Sequence, residues 1–271
     1  MRDRLVHHAI YRVLYPLFGR TFIADSYSCR VGKGTHKALN RFRQFGYRAS
    51  QNDMRTCWVL KCDIRKFFAS IDHEVLLNVL RKYILDAGAL WLLEDVIRSF
   101  KSTASGKGLP LGNLTSQLLV NVYMNEFDQY VKHGVGARYY IRYADDFVIL
   151  SGDRAWLENQ IPWLQDFLRN RLRLRLHPRK VVIKTLASGV DFLGWVHFPD
   201  HRVLRTSTKR RMMRRIEQSP GAATFNSYMG LLGHGNARTL QQEVLGLSQS
   251  RHGEGATATE AISSRVSMSR N

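Results

Sequence analysis

Arg138-Tyr139-Tyr140-Ile141-Arg142-Tyr143 and Phe147-Val148-Ile149-Leu150 are two strand-like runs separated only by Ala144-Asp145-Asp146. Aromatic and β-branched residues suit a pleated, half-buried surface, and so short a connection joins antiparallel neighbours. The pair therefore predicts a hairpin with two acids at its tip. Aspartate also favours turns for their own sake, and an isolated Asp-Asp is more often a solvated turn than a site. Here the flanking runs are strongly β-forming, where a turn made for solvent would more often be Asn-Gly or Asp-Gly. A further apolar run, Cys57-Trp58-Val59-Leu60-Lys61-Cys62, also ends in an acid, Asp63. It reads as a central strand.

Around these strands the pattern turns helical. Residues 1–20 carry Tyr, Leu and Phe at helical spacing. Ser28-Cys29-Arg30-Val31-Gly32-Lys33-Gly34-Thr35 is a loop with two glycines and two cations, followed by a helix from His36. Read alone, it is more often a generic turn than an anion site. Asp72 stands where an N-cap belongs, before an apolar-periodic helix His73–Leu85. Gly106–Gly112, with Pro110, reads as a loop, and Ser116–Val131 as a helix buried along one face. Trp156–Leu168 suits a helix, and Leu172-Arg173-Leu174-Arg175-Leu176 alternates like a half-buried strand with an arginine face. Val190–Phe198 and the turn Pro199-Asp200-His201 predict another hairpin, and Thr208–Ile216 opens a basic helix. Residues 249–271 lack aromatics and apolar period and are expected to be a disordered tail.

The 271 residues are 44% hydrophobic, enough for a real core, yet 41 Lys and Arg face 22 Asp and Glu, a net charge of +19. Such an excess repels itself unless it meets a polyanion, and nucleic acid is the first candidate. Cations crowd between Arg169 and Lys184 and between Arg202 and Arg215, which suggests a one-sided groove. No run approaches eighteen apolar residues, and Met1–Arg12 is too charged for a secretory segment. A cytoplasmic protein with no membrane partner is expected. Cys29, Cys57 and Cys62 form no CxxC pair and read as reduced packing residues.

The acids supply the chemistry. Magnesium takes hard oxygen ligands and keeps waters, so a few carboxylates plus substrate phosphates complete its shell. Carboxylates from adjacent strands can hold two ions that activate an attacking hydroxyl and clamp an in-line displacement at phosphorus. A non-catalytic nucleic-acid-binding scaffold would use the basic stretches equally well. It would not use Asp63, Asp145 and Asp146, since acids beside a phosphate backbone weaken binding unless a metal neutralises them.

Tyr143-Ala144-Asp145-Asp146 within IRYADDFVIL resembles the catalytic box of reverse transcriptases, and KCDIRKFFASIDHEVL resembles the box of their first catalytic aspartate. In the family's order, SYSCRVGKGTHKAL resembles the fingers motif, and GLPLGNLTSQLLVNVY the loop and helix beneath the incoming nucleotide. LRLHPRKVVI resembles the lysine motif and DFLGW the primer grip. Six boxes in one order, over about residues 26–198, form a specific signal.

The resemblance implies an α+β right-hand polymerase fold. Fingers would occupy about 1–56 and 80–110, and a palm with an antiparallel sheet about 57–79 and 111–204. A short helical thumb would fill 205–248. Asp63 and Asp145, with the Ile64 carbonyl and Asp146, would hold two Mg2+ ions, with Mn2+ a possible substitute. Lys180 would protonate the leaving pyrophosphate. Arg30, Lys33, Lys66, Phe67, Phe68, Leu111, Gly112 and Gln117 would line the nucleotide site, with Phe68 as the steric gate against a ribose 2′-hydroxyl; as a plain core aromatic, Phe67 is the better candidate. Phe192, Leu193, Gly194 and Trp195 would grip the primer. Template RNA, primer or cDNA and deoxynucleoside triphosphates are the implied partners.

Leu111 before Gly112, and Ser116-Gln117 after it, depart from the Gln and Ser-Pro typical of group II intron enzymes. This form resembles the reverse transcriptases of diversity-generating retroelements, which are bacterial or phage-encoded. They make error-prone cDNA with the help of a small basic accessory protein. Group II intron-like, CRISPR-linked and defence-associated enzymes remain alternatives.

Overall fold

β1 (Trp58–Asp63), β2 (Tyr139–Tyr143), β3 (Asp146–Ser151) and β4 (Val182–Thr185) form one antiparallel sheet in the order β2-β3-β1-β4. The structure, a computed structural model, describes residues 2–100, 105–219 and 221–246. The expected hairpin is tighter than the sequence suggests. Tyr143 pairs with Asp146, so Ala144-Asp145 is a two-residue turn, with Ala144 left-handed at φ 54°. Phe147, Val148, Ile149 and Leu150 are buried, and the hairpin is rooted in the core.

Helices α1 (Arg2–Gly19), α2 (Thr35–Ala49), α3 (Phe67–Ser70), α4 (His73–Arg81), α5 (Ala87–Ser99), α6 (Leu114–Gln129) and α7 (Arg154–Leu172) surround the sheet. Asp72 caps α4 by accepting from the Val75 amide at 3.2 Å, a contact worth about 1 kcal/mol. The helix stops at Arg81 rather than Leu85, because Tyr83 and Ile84 fold back onto the Leu80 carbonyl and Asp86 caps α5.

Two further expectations are corrected. α6 is buried on nearly every side, not along one face, because α1, α4 and α7 all pack on it. Most of its buried polar residues are tolerated because they are bonded: Thr115 to His7, Asn121 to the Ser28 carbonyl, Asn125 to Thr21, and Asp128 to Arg142, while the Ser116 hydroxyl has no partner among the described residues. The Leu172–Leu176 alternation is real in burial but builds no sheet strand. Leucines 172, 174 and 176 are buried while Arg173 and Arg175 are exposed. α7 continues to Leu172, left-handed Arg173 ends it, and only one bridge, Ile64 to Leu176, joins the segment to β1. Of the cysteines, Cys57 and Cys62 are buried as expected, but Cys29 is exposed.

The chain divides into compact units at Ser188/Gly189, earlier than the 204/205 thumb boundary drawn from sequence. In the second unit, β5 (Val190–Phe192), β6 (Trp195–His197) and β7 (Arg202–Leu204) form a meander, three strands where one hairpin was expected. Its helices are α8 (Thr206–Gln218), α9 (Ala222–Leu232) and a helix at 238–246. The meander belongs with these helices for steric reasons. The Trp195 ring lies where a side chain on Gly235 would stand, the Asn236 amide donates to the Arg202 carbonyl at 2.8 Å, and Leu204 packs on the core of Met212, Ile216 and Leu232. The tail expected over 249–271 lies outside the described residues.

Candidate active site

Asp63 and Asp146 are direct cross-strand partners of β1 and β3, so their side chains leave the same face of the sheet. The Ile64 amide donates to the Asp145 carbonyl at 3.1 Å, which brings the turn against the end of β1. Lys61 lies diagonally across, its ammonium 3.5 Å from Asp146 Oδ2. The Lys180 ammonium lies 2.9 Å from Asp63 Oδ2 and also feels Asp145 and Asp146. Three carboxylates and two ammonium groups thus share one region of the sheet edge.

The acids carry the electrostatic mark of crowding. Burial pushes the Asp145 carboxyl above the usual carboxylate range, and the Asp63 carboxylate adds to the push. Asp146 is driven up to about 6, by burial first and then by Asp63 and Asp145, against the pull of Lys61. Lys180 is held above its ordinary value, chiefly by its hydrogen bond to Asp63. Asp146 Oδ1 is buried without a hydrogen-bond partner. A bare buried carboxylate oxygen beside other acids favours a hard cation. Among the described residues, no group of three or more His, Cys, Asp or Glu is already arranged to hold a metal. Main-chain and phosphate oxygens would have to complete any such shell.

The turn is held from behind by residues that the sequence reading left out. Buried Arg142 takes both oxygens of buried Asp128 at 2.7 Å and donates to the Ala144 carbonyl at 3.2 Å and to Asn121 at 3.3 Å. Tyr140 donates to the same Asp128 carboxylate at 2.7 Å. Backbone bonds from Tyr27 and to Asp25 pin the 25–28 segment onto Arg142. The one sequence signal was an arginine inside an apolar strand, which demands a buried partner.

Arg30 donates to the Ile23 and Ser26 carbonyls at 2.7 and 3.0 Å, and Lys33 to the Ala24 carbonyl at 2.7 Å, so both brace the fingers-like loop. Phe67 is buried in the core, while Phe68 is only partly covered, its ring edge-to-face with Phe67 at 5.5 Å. Lys66 is exposed at φ 47°. Leu111 is 77% exposed, next to left-handed Gly112, and Gln117 is half-buried on α6. Phe192 and Trp195 are buried beneath the β5–β6 turn, where Leu193 and Gly194 both have positive φ. These four belong to the second unit.

Residues 1–197 match the family described as reverse transcriptase (RNA-dependent DNA polymerase). The chain is 28% identical over 259 residues to protein YkfC of Escherichia coli K12, covering 81% of this chain and 65% of that one. It is 24% identical over 280 residues to the group II intron-encoded protein LtrA of Lactococcus lactis, covering 77% and 44%. The chain therefore spans less than two thirds of either relative. A structure of Candida albicans telomerase in complex with a fragment of telomeric RNA superposes with a TM-score of 0.58 at 10% identity, over 93% of this chain and 46% of that one. That likeness, with the mixed helices and antiparallel sheet, gives the fold as that of a right-hand polymerase. No described helix is long and apolar enough to cross a membrane.

Proposed function

The chain belongs to the reverse transcriptase family and has homologues among group II intron-encoded proteins, and from that premise we propose that it extends a primer on an RNA template with deoxynucleoside triphosphates. The observation that carries the reading is the cross-strand pairing of Asp63 with Asp146, with Asp145 held against the end of β1.

Asp63, Asp145 and the Ile64 carbonyl, with Asp146 beside them, would hold two magnesium ions, or manganese in their place. Bound there, the ions would acidify the primer hydroxyl and neutralise charge building on the transferred phosphate. The chain's own groups do the rest. The Phe68 ring would crowd the sugar at its 2′ position, and Lys66, Gly112 and Gln117 would border the nucleotide. Lys180 stays protonated at neutral pH beside Asp63, so its Nζ–H is available to the oxygen of the leaving pyrophosphate. Arg30 and Lys33 would shape the loop above the triphosphate. Phe192 to Trp195 would seat the primer end.

Within the family, Leu111 and Gln117 favour error-prone cDNA synthesis in a diversity-generating retroelement, aided by a small basic accessory protein. The likeness to intron-encoded proteins favours a group II intron-like enzyme as the second reading. Primer extension on RNA with magnesium, comparing the parent chain with Asp145→Ala, tests the activity. Equal extension by both, or none by the parent with either metal, would sink it. Sequencing the cDNA separates the subclasses, since only the retroelement reading expects errors concentrated opposite adenine.

A further inference from the structure

Two adjoining cavities of about 570 and 460 Å3 open on the first unit and share Arg169, Leu174 and Arg175 as a common wall. Arg65, Lys66, Lys107, Arg169, Arg173 and Arg175 line the larger one. The fold assembles them from four separate segments. Arg65 and Lys66 follow β1, Lys107 lies in the loop before α6, Arg169 sits on the last turn of α7, and Arg173 and Arg175 follow it. A 2.9 Å bond from the Arg65 amide to the Arg175 carbonyl sets two of these segments side by side. Buried Leu174 anchors the 173–175 segment, so Arg173 and Arg175 project outward.

Among the described residues, only Arg173 of the six has a carboxylate partner, Asp72 at 2.9 Å. The one acid among the described residues of either wall, Asp166, accepts a hydrogen bond from Asn170. This concentration of like charge costs stability unless a polyanion covers it. We infer that the cleft, which adjoins the nucleotide site at Lys66 and runs from there to Arg169 and Arg175, is a second RNA contact that binds the sugar-phosphate backbone of a folded RNA segment.

Three observations select that ligand. The six cations come to the larger cavity from four chain segments, and Arg169 and Arg175 continue onto the wall of the smaller one, which suits a chain of phosphates better than a single anion. Among the described residues no aromatic ring lines either cavity, so bases find nothing there to stack on and the contact reads backbone alone. Four of the six are arginines, whose planar forks match phosphate oxygens. The inference rests on the reverse transcriptase reading only for choosing RNA among polyanions.

The test measures binding of the full chain to a closed RNA hairpin that lacks any extendable 3′ end, by fluorescence anisotropy across a range of salt. Arg169→Ala with Arg175→Ala should weaken binding at least tenfold near 0.15 M salt and make the log K against log salt slope shallower by about two. Arg169→Lys with Arg175→Lys should keep the slope, which separates charge from misfolding, and Arg154→Ala at the other end of α7 should change nothing. Extension of a saturating short primer–template should keep its kcat in the alanine pair. An unchanged slope, a matching fall in kcat, or equal displacement of the hairpin by polyglutamate would each overturn the assignment. Asp145→Ala should bind the hairpin fully, so loss of polymerase activity and loss of this site are read separately.

Discussion

Arg142 and Asp128 form a two-point ion pair sealed from water, with Nε and one terminal nitrogen of the arginine each 2.7 Å from a carboxylate oxygen. Removing one partner leaves the other charge buried and uncompensated, which costs about 3–5 kcal/mol, whereas removing both does not. Asp128→Asn should therefore lower the urea midpoint sharply. The double change Asp128→Leu with Arg142→Met should recover much of it. Primer extension should stay impaired in the double variant, because the Ala144 carbonyl has lost its donor. An unmoved midpoint in Asp128→Asn would show that the pair does not hold the core.

The raised Asp146 carboxyl makes stability depend on pH when metal is withheld. Its folded value of about 6 lies above the ordinary 3.8, so between these values the folded chain binds more protons than the unfolded one. Stability must then fall as pH rises from about 4 to about 6, by on the order of 2 kcal/mol. In EDTA, Asp146→Asn should flatten that fall. Magnesium at pH 7 should raise the melting temperature of the parent far more than that of the variant, and equal shifts would mean that Asp146 does not face the ion.

Leu111 is 77% exposed, so it fills no core space, and Leu111→Gln should change stability by less than about 0.5 kcal/mol. A restored amide contact near the nucleotide, worth about 1 kcal/mol, should cut misincorporation opposite adenine about fivefold. Sequenced cDNA with the parent's error rate would remove position 111 from base selection.

His197 titrates in the opposite sense. Burial, with Arg202 nearby, lowers it to about 3, while in the unfolded chain it takes up a proton near its ordinary value of 6.5. Stability of the unit from Gly189 onward should be full above about pH 6.5 and drain away as pH falls toward 3, by up to a few kcal/mol. His197→Asn should blunt this loss, read as thermal unfolding against pH. Parallel curves for parent and variant would contradict it.

The parts legible in the sequence were those written in local pattern. The β-forming runs around Ala144-Asp145-Asp146 announced the hairpin, and Asp72 announced its cap. Long-range packing was not legible. Nothing local in Leu118 to Asp128 says that α6 is enclosed on nearly every side, since that follows from three helices converging on it. The leucine–arginine alternation at 172–176 encodes burial correctly but not pairing, because a partner strand is a property of distant residues. Arg30 and Lys33 were expected to line the nucleotide site, yet the loop's own carbonyls, placed by the fold, take their donors. Among site residues, the placement of Asp63 beside Asp146 could be read, because each acid stands at the end of a β-forming run. Behind them, Arg142 in an apolar strand signalled a buried partner, but nothing local singles out Asp128 as that partner.

The contact between Lys180 and Asp63 bears on the order of events in biogenesis. An ammonium already resting on the first aspartate neutralises part of the acidic cluster from within, so the sheet can close before any divalent ion arrives. A divalent ion arriving at Asp63 would then compete with a tethered side chain rather than with water alone. Lys180→Ala should therefore leave a chain that refolds slowly in chelator and quickly in magnesium, a coupling of maturation to metal supply that the parent chain avoids.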